Sequence, residues 1–202
     1  ARPNTELASA IGIKLNGRAI QVDRRMQTSI PGIYAAGNCA DYLDAVTGKR
    51  GWLPVARLSA YQGEIAGINA VGGHVEDQGF VKGQVDVIAG LQIASLGHTS
   101  DVARSYGVSC HVKDLSDKFS RYCGCRTAQV RAVVAEDGRL IGTQIICDRA
   151  IGAFAHNFYY AIKTRKTLDE ALKSITSPLK TMVETARTEN LLSKLLREST
   201  KP

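Results

Sequence analysis

The residues from Thr28 to Asp41 read TSIPGIYAAGNCAD and carry an apolar run, Ile33 to Ala36, onto Gly37 and Asn38. Small residues let a ligand approach the backbone closely, and a carboxamide both donates and accepts hydrogen bonds. Open α/β sheets place ligands beyond the carboxyl ends of their strands, where Gly37 and Asn38 would fall. The stretch also reads as no more than a tight strand-to-loop turn. A second candidate contact follows at Pro54, which opens a helix whose free first-turn amides and partial positive charge suit an electron-rich oxygen. The usual partner of such a site is missing: a dinucleotide fold needs Gly-x-Gly-x-x-Gly ahead of a helix, and the chain contains no Gly-x-Gly.

The remaining reactive side chains form no constellation. Cys123-Gly124-Cys125 could be a redox pair or half of a zinc site, but no second pair stands at zinc spacing, and free thiols are the alternative. Cys39 follows Asn38 directly, and small buried cysteines are common. His74, His98, His111 and His156 lack ligand spacing, and His156, beside Tyr159 and Tyr160, reads as packing. No catalytic residue and no metal ligand is assigned. Five cysteines without regular spacing point to reduced thiols and a cytoplasmic location.

Two blocks must position these residues, with a boundary expected near Glu76. Residues 1–76 predict a hairpin of Ile13–Leu15 with Ala19–Val22 around Asn16-Gly17, a buried strand over 33–36, and a helix from Pro54 to Val71 stopped by Gly72-Gly73. Residues 77–202 predict strand-like Val85–Leu96, a short helix near Ser100–Tyr106 and a strand over Ser109–Lys113. A long hairpin of Thr127–Ala135 with Leu140–Cys147 turns at Asp137-Gly138. Ile151, Phe154, Phe158 and Ile162 mark an amphipathic helix, Thr167 to Glu170 forms a capping box, and Ser177-Pro178 opens a last helix. The fold class is therefore α/β in the first block and α+β, strands before helices, in the second.

The bulk numbers are those of a globular chain: 202 residues, 44% hydrophobic and 22% charged. No apolar run approaches the ~20 residues of a membrane helix, so no membrane partner is expected. The net charge of +7 is spread along the chain, often with acids nearby, and no basic run is interleaved with aromatics, so nucleic acid is not expected either. The first residue is Ala1 rather than Met, which suggests a piece of a longer chain.

Arg2-Pro3-Asn4-Thr5, TSIPGIYAAGN, VTGKRGWLPVA (46–56) and YQGEIAGINAVGG (61–73), in that order, resemble the end of the FAD domain in the pyridine nucleotide-disulfide oxidoreductases. The likeness is to the branch of NADH oxidases and coenzyme A-disulfide reductases. It implies that residues 1–76 close an FAD-binding, Rossmann-like domain and that 77–202 form an antiparallel-sheet-plus-helices dimerisation domain. It further implies FAD as cofactor, NAD(P)H as substrate of the parent enzyme, a small-molecule electron acceptor and a homodimer. The long hairpin and the apolar faces of the 151–162 and 178–196 helices would lie at the dimer interface. Gly37 and Asn38 would hold the ribityl-phosphate side and Val55 and Ala56 the ring. The family usually has Asp where this chain has Asn38. Ser177-Pro178-Leu179 stands where the glutathione-reductase branch has its His-Pro acid/base pair. The chain alone is expected to be inactive; a free-standing dimerisation or binding module without catalysis is the other reading.

Overall fold

The computed structural model describes residues 1–118, 127–148 and 151–175. The chain divides into two compact units, Ala1–Phe80 and Val81–Pro202. The division falls a few residues beyond Glu76 because the intervening backbone bonds into the first unit: Asp77 N–H to Arg24 O, Phe80 N–H to Leu43 O and Ala45 N–H to Phe80 O.

The first unit runs through α1 (Glu6–Ala10), β1 (Leu15–Asn16), β2 (Ala19–Ile20), a 3-10 turn at Gly37–Cys39, β3 (Tyr42–Leu43), β4 (Arg50–Gly51) and α2 (Ala56–Ala70). Its core gathers Ala8, Ile13, Ile20, Val22, Met26, Ala40 and Ile65. Two expectations need correction. The first hairpin pairs Leu15 with Ile20 and Asn16 with Ala19, so its turn is Gly17-Arg18, one residue later than the Asn-Gly signal implied. Only Gly17 takes a positive φ there, so the two left-handed residues of an Asn-Gly turn are not needed. The segment 33–36 is not a buried strand. All four residues are half-buried, and the described chain gives the segment a single bridge, Tyr34 with Gln27, so no ladder forms.

Helix α2 explains how so irregular a unit is held together. Its buried stripe is Leu58, Gln62, Ile65 and Asn69, at the spacings of one helix face. The two polar members are fully used. Asn69 Nδ2 donates to Arg25 O and Val75 O, its Oδ1 accepts from Val75 N–H, and Gln62 bonds to the Gly37 turn described below. The helix ends at Ala70, and Gly72 follows at φ +94°.

The second unit is a five-stranded antiparallel sheet in the order β5-β6-β9-β8-β7, where β5 is Gly83–Ile88, β6 Leu91–Gly97, β7 Cys110–Lys118, β8 Thr127–Ala135 and β9 Leu140–Cys147. The stretch expected as one strand over 85–96 is a hairpin, turning at Ala89-Gly90 with φ +49° and +79°. Helix α3 (Ser100–Ser105) is capped by the Thr99 hydroxyl, which accepts from Val102 N–H. The β8–β9 hairpin turns at Asp137-Gly138 as predicted.

Helix α4 (Gly152–Lys163) lays Phe154, Phe158 and Ile162, all buried, against β6 and β9. The apolar face of α4, expected at a dimer interface, is thus committed to the sheet of its own unit. At the start of α5 (Leu168–Ile175) Thr167 N–H donates to Glu170 Oε2 and Glu170 N–H to Thr167 Oγ1, the expected capping box. The helix expected from Ser177 lies outside the described residues. Among the described residues no helix is long and apolar enough to cross a membrane.

Candidate functional site

The four residues singled out as ligand-facing come together in the first unit. Ala36 is extended, Gly37 turns the chain at φ +80°, and Asn38 is left exposed on a single 3-10 turn. That φ disfavours any residue with a Cβ, and a Cβ at this position would also stand 3.4 Å from Ser59 Cβ. The turn therefore packs directly on the first turn of α2, whose N-cap is the extended, half-buried Val55.

Valine offers no side-chain acceptor, and the first intrahelical bond is Ser59 N–H to Val55 O at 3.0 Å. The amides of Ala56 to Leu58 precede that bond and have no intrahelical acceptor. Gly37, Asn38, Val55 and Ala56 thus belong to one edge, on which the Ala56 amide and the Asn38 carboxamide come together while the amides of Gly37 and Val55 are spent on Gln62 Oε1 and Leu53 O.

Side chains beneath the edge fix it. Gln62, fully buried, accepts from Gly37 N–H through Oε1 at 2.9 Å and donates from Nε2 to Asp41 O at 2.7 Å, so one amide pins both ends of the turn. Ser59 Oγ lies 3.1 Å from Asn38 Oδ1, and the Trp52 indole N–H donates to Asn38 O at 2.8 Å. Asp41 is fully buried and accepts from Arg50 Nη1 at 2.7 Å, Asn16 Nδ2 at 3.0 Å and Val22 N–H at 3.2 Å. It ties the β1–β2 hairpin to the loop that leads into α2.

Sequence reasoning missed Ser59, Gln62, Trp52 and the Asp41–Arg50 pair. The legible signal was Gln62 and Asn69, two amides at core spacing on an otherwise apolar helix face.

The other candidates disperse. Cys39 Sγ lies 3.4 Å from Ala36 O, and its neighbour Asn38, not the thiol, is the exposed group. The Arg25 guanidinium reaches His74 Nδ1 at 2.8 Å, the buried His98 packs 5.5 Å from the Tyr106 ring, and His156 stacks near Tyr159. Cys123 and Cys125 lie outside the described residues. Among the described residues, no group of three or more His, Cys, Asp or Glu side chains could hold a metal ion.

Residues 1–63 match the sequence profile of the family described as pyridine nucleotide-disulphide oxidoreductase. The chain is 34% identical over 148 residues to an NADH oxidase of Methanocaldococcus jannaschii, a match covering 72% of this chain and 33% of that protein. It is also 34% identical over 149 residues to the coenzyme A-dependent NAD(P)H sulfur oxidoreductase of Pyrococcus furiosus, covering 72% of this chain and 34% of the relative. The fold is similar to that of an FAD-dependent pyridine nucleotide-disulphide oxidoreductase from Desulfovibrio vulgaris, with a TM-score of 0.76 at 24% identity, over 96% of this chain and 47% of that one. The chain thus spans about a third of the length of the curated relatives it matches.

Proposed function

We infer that this chain, a relative of the pyridine nucleotide-disulphide oxidoreductases on the side of the NADH oxidases and coenzyme A-dependent sulfur oxidoreductases, supplies the closing edge of an FAD site in an NAD(P)H-oxidising enzyme. The observation that carries this reading is the juncture of the Gly37-Asn38 turn with the uncapped start of α2. These residues fit a flavin. The free amides of the first turn of α2, beginning at Ala56, suit the electron-rich edge of a ring, and the exposed Asn38 carboxamide suits a ribityl hydroxyl; the Val55 amide is spent on Leu53 O. The Desulfovibrio relative of similar fold is described as FAD-dependent, which supports the same cofactor.

When bound, FAD supplies the two-electron chemistry between NAD(P)H and a small-molecule acceptor. This chain's own residues bind and orient it: Gly37 by turning the chain so that Asn38 stands against the start of α2, Asn38 by hydrogen bonding, and the start of α2 through its amides and partial positive charge. The catalytic cysteine and nicotinamide-binding parts belong to the preceding part of a longer, cytoplasmic protein, of which 81–202 is the homodimerisation domain. Antiparallel strands followed by helices are the element order that the family resemblance implies for that domain.

The test is to express the chain together with the coding sequence that precedes Ala1 and record the visible spectrum. The purified protein should show flavin bands, and Asn38→Ala should lower FAD retention several-fold. A folded, colourless protein overturns the reading. Flavin binding indifferent to Asn38→Ala removes that residue from the site.

A further inference from the structure

The hydroxyl of Ser59 has one proton and two oxygens within reach: Val55 O at 3.2 Å and Asn38 Oδ1 at 3.1 Å. Val55 O already accepts the Ser59 backbone N–H at 3.0 Å. Asn38 Oδ1 has no other donor among the described residues. The proton is therefore better placed on Asn38, where it satisfies an acceptor that would otherwise be left to solvent. With Oδ1 held by Ser59, the two N–H donors of Asn38 Nδ2 have no acceptor among the described residues and stand on an exposed residue at the ligand edge.

We propose that Ser59 is a positioning residue that sets the polarity of the site at position 38: it anchors the carbonyl end of the Asn38 carboxamide and thereby presents a donor to the ligand. This rests on the FAD reading above, and it adds which atom of Asn38 faces the cofactor and which residue decides it. A carboxylate at position 38 would accept from Ser59 and still offer a second, charged acceptor to a ribityl hydroxyl. Asn38 with Ser59 does the reverse, so the facing oxygen of the ligand must use a lone pair. Backbone geometry is kept apart from this choice, because Gln62 and Trp52 hold Gly37 N–H and Asn38 O independently of the carboxamide.

The experiment is a double-mutant cycle in the protein carrying its preceding sequence, with FAD dissociation followed by the recovery of flavin fluorescence. Ser59→Ala should raise the FAD dissociation constant about 5- to 10-fold, the size of one hydrogen bond to a neutral group. Ser59→Thr, which keeps the hydroxyl, should restore the affinity to near the parent value. In an Asn38→Ala background Ser59→Ala should change nothing further.

Equal losses from Ser59→Ala in both backgrounds, or failure of the threonine variant to rescue, would overturn the proposal while leaving flavin binding intact. Absence of flavin from the parent protein would instead remove the FAD reading and this inference with it.

Discussion

Residues 1–80 and 81–202 solve the same problem of chain burial with different materials. Among the described residues of the second unit the buried side chains are mostly apolar, Leu96, Val130, Ile145, Phe154, Phe158 and Leu172 among them, with His98 and Thr143 the polar exceptions, and they are carried by a five-stranded ladder and its helices. The first unit has only two-residue strands, and its buried residues include Asp41, Asp44, Gln62, Asn69 and Asp77. Buried polar groups must be hydrogen-bonded, and in the first unit their partners are loop backbones, joined by the side chains of Arg50 and Asn16 at Asp41 and of Tyr42 at Asp44. A ladder dictates where its residues go by repetition. A loop whose course is fixed by individual carboxamides and carboxylates can place a glycine, an amide and a helix start wherever a ligand needs them. The cost is that each bond is singular, so its loss is felt at the site.

The sharpest way to break this contrast is to damage each unit where it is strongest. Phe158 is fully buried and meets Phe154 edge-on, with ring centroids 5.0 Å apart. Phe158→Ala should cost about 3–5 kcal/mol of stability, the usual result of emptying a core aromatic site. Its effect should appear in urea unfolding followed by far-ultraviolet circular dichroism, with flavin bound per folded molecule unchanged. A proportionate loss of flavin from the folded fraction would show that the two functions are not divided as argued.

Asp41→Ala is the counterpart in the first unit, with the next largest effect. It leaves Arg50, Asn16 Nδ2 and Val22 N–H without their shared acceptor, and breaking a buried ion pair from one side costs about 3 kcal/mol. Here stability and flavin affinity should fall together, because the same carboxylate orders the loop leading to α2. Trp52 is the only tryptophan in the chain and donates to Asn38 O, so its fluorescence reports this unit directly. Asp41→Asn, which keeps an acceptor for Arg50, should lose less on both counts. Flavin affinity unaffected by either variant would separate the Asp41 network from the site.

The contrast also decides what could be read in advance. The β8–β9 hairpin and the α5 cap were legible because Asp-Gly and Thr-x-x-Glu state their geometry within four residues. Gly37, Asn38 and the start of α2 were legible for a similar reason, since small residues and a proline at set distances carry their own backbone instructions. The β5–β6 turn was not, because Ala89 takes a left-handed conformation that alanine rarely signals. Nor was the fate of 33–36, since whether an apolar run becomes a strand depends on what the rest of the chain offers it to pair with. Ser59 and Gln62 escaped notice because their roles exist only once Gly37 and Asn38 have folded back onto α2.

The smallest effect tests whether surface bonds in the second unit obey the same local logic as its core. Thr167 N–H, and then the Thr167 hydroxyl, hold the Glu170 carboxyl below its ordinary range. A carboxyl whose pKa is lowered by folding adds stability at pH values above its unfolded pKa, and that contribution disappears as pH falls through the folded one. Glu170→Gln keeps an acceptor for Thr167 but cannot ionise. The parent should therefore exceed this variant in urea midpoint near neutrality, and the gap should close progressively on acidification. Asp114, likewise held down by the Arg131 guanidinium, titrates in both proteins and cancels in the difference. Thr167→Ala should remove about 1 kcal/mol near neutrality, as loss of an N-cap hydroxyl does. A gap between parent and Glu170→Gln that stays constant from neutral to acid pH would mean that the charge of Glu170 does not support the cap, leaving its geometry alone to start α5.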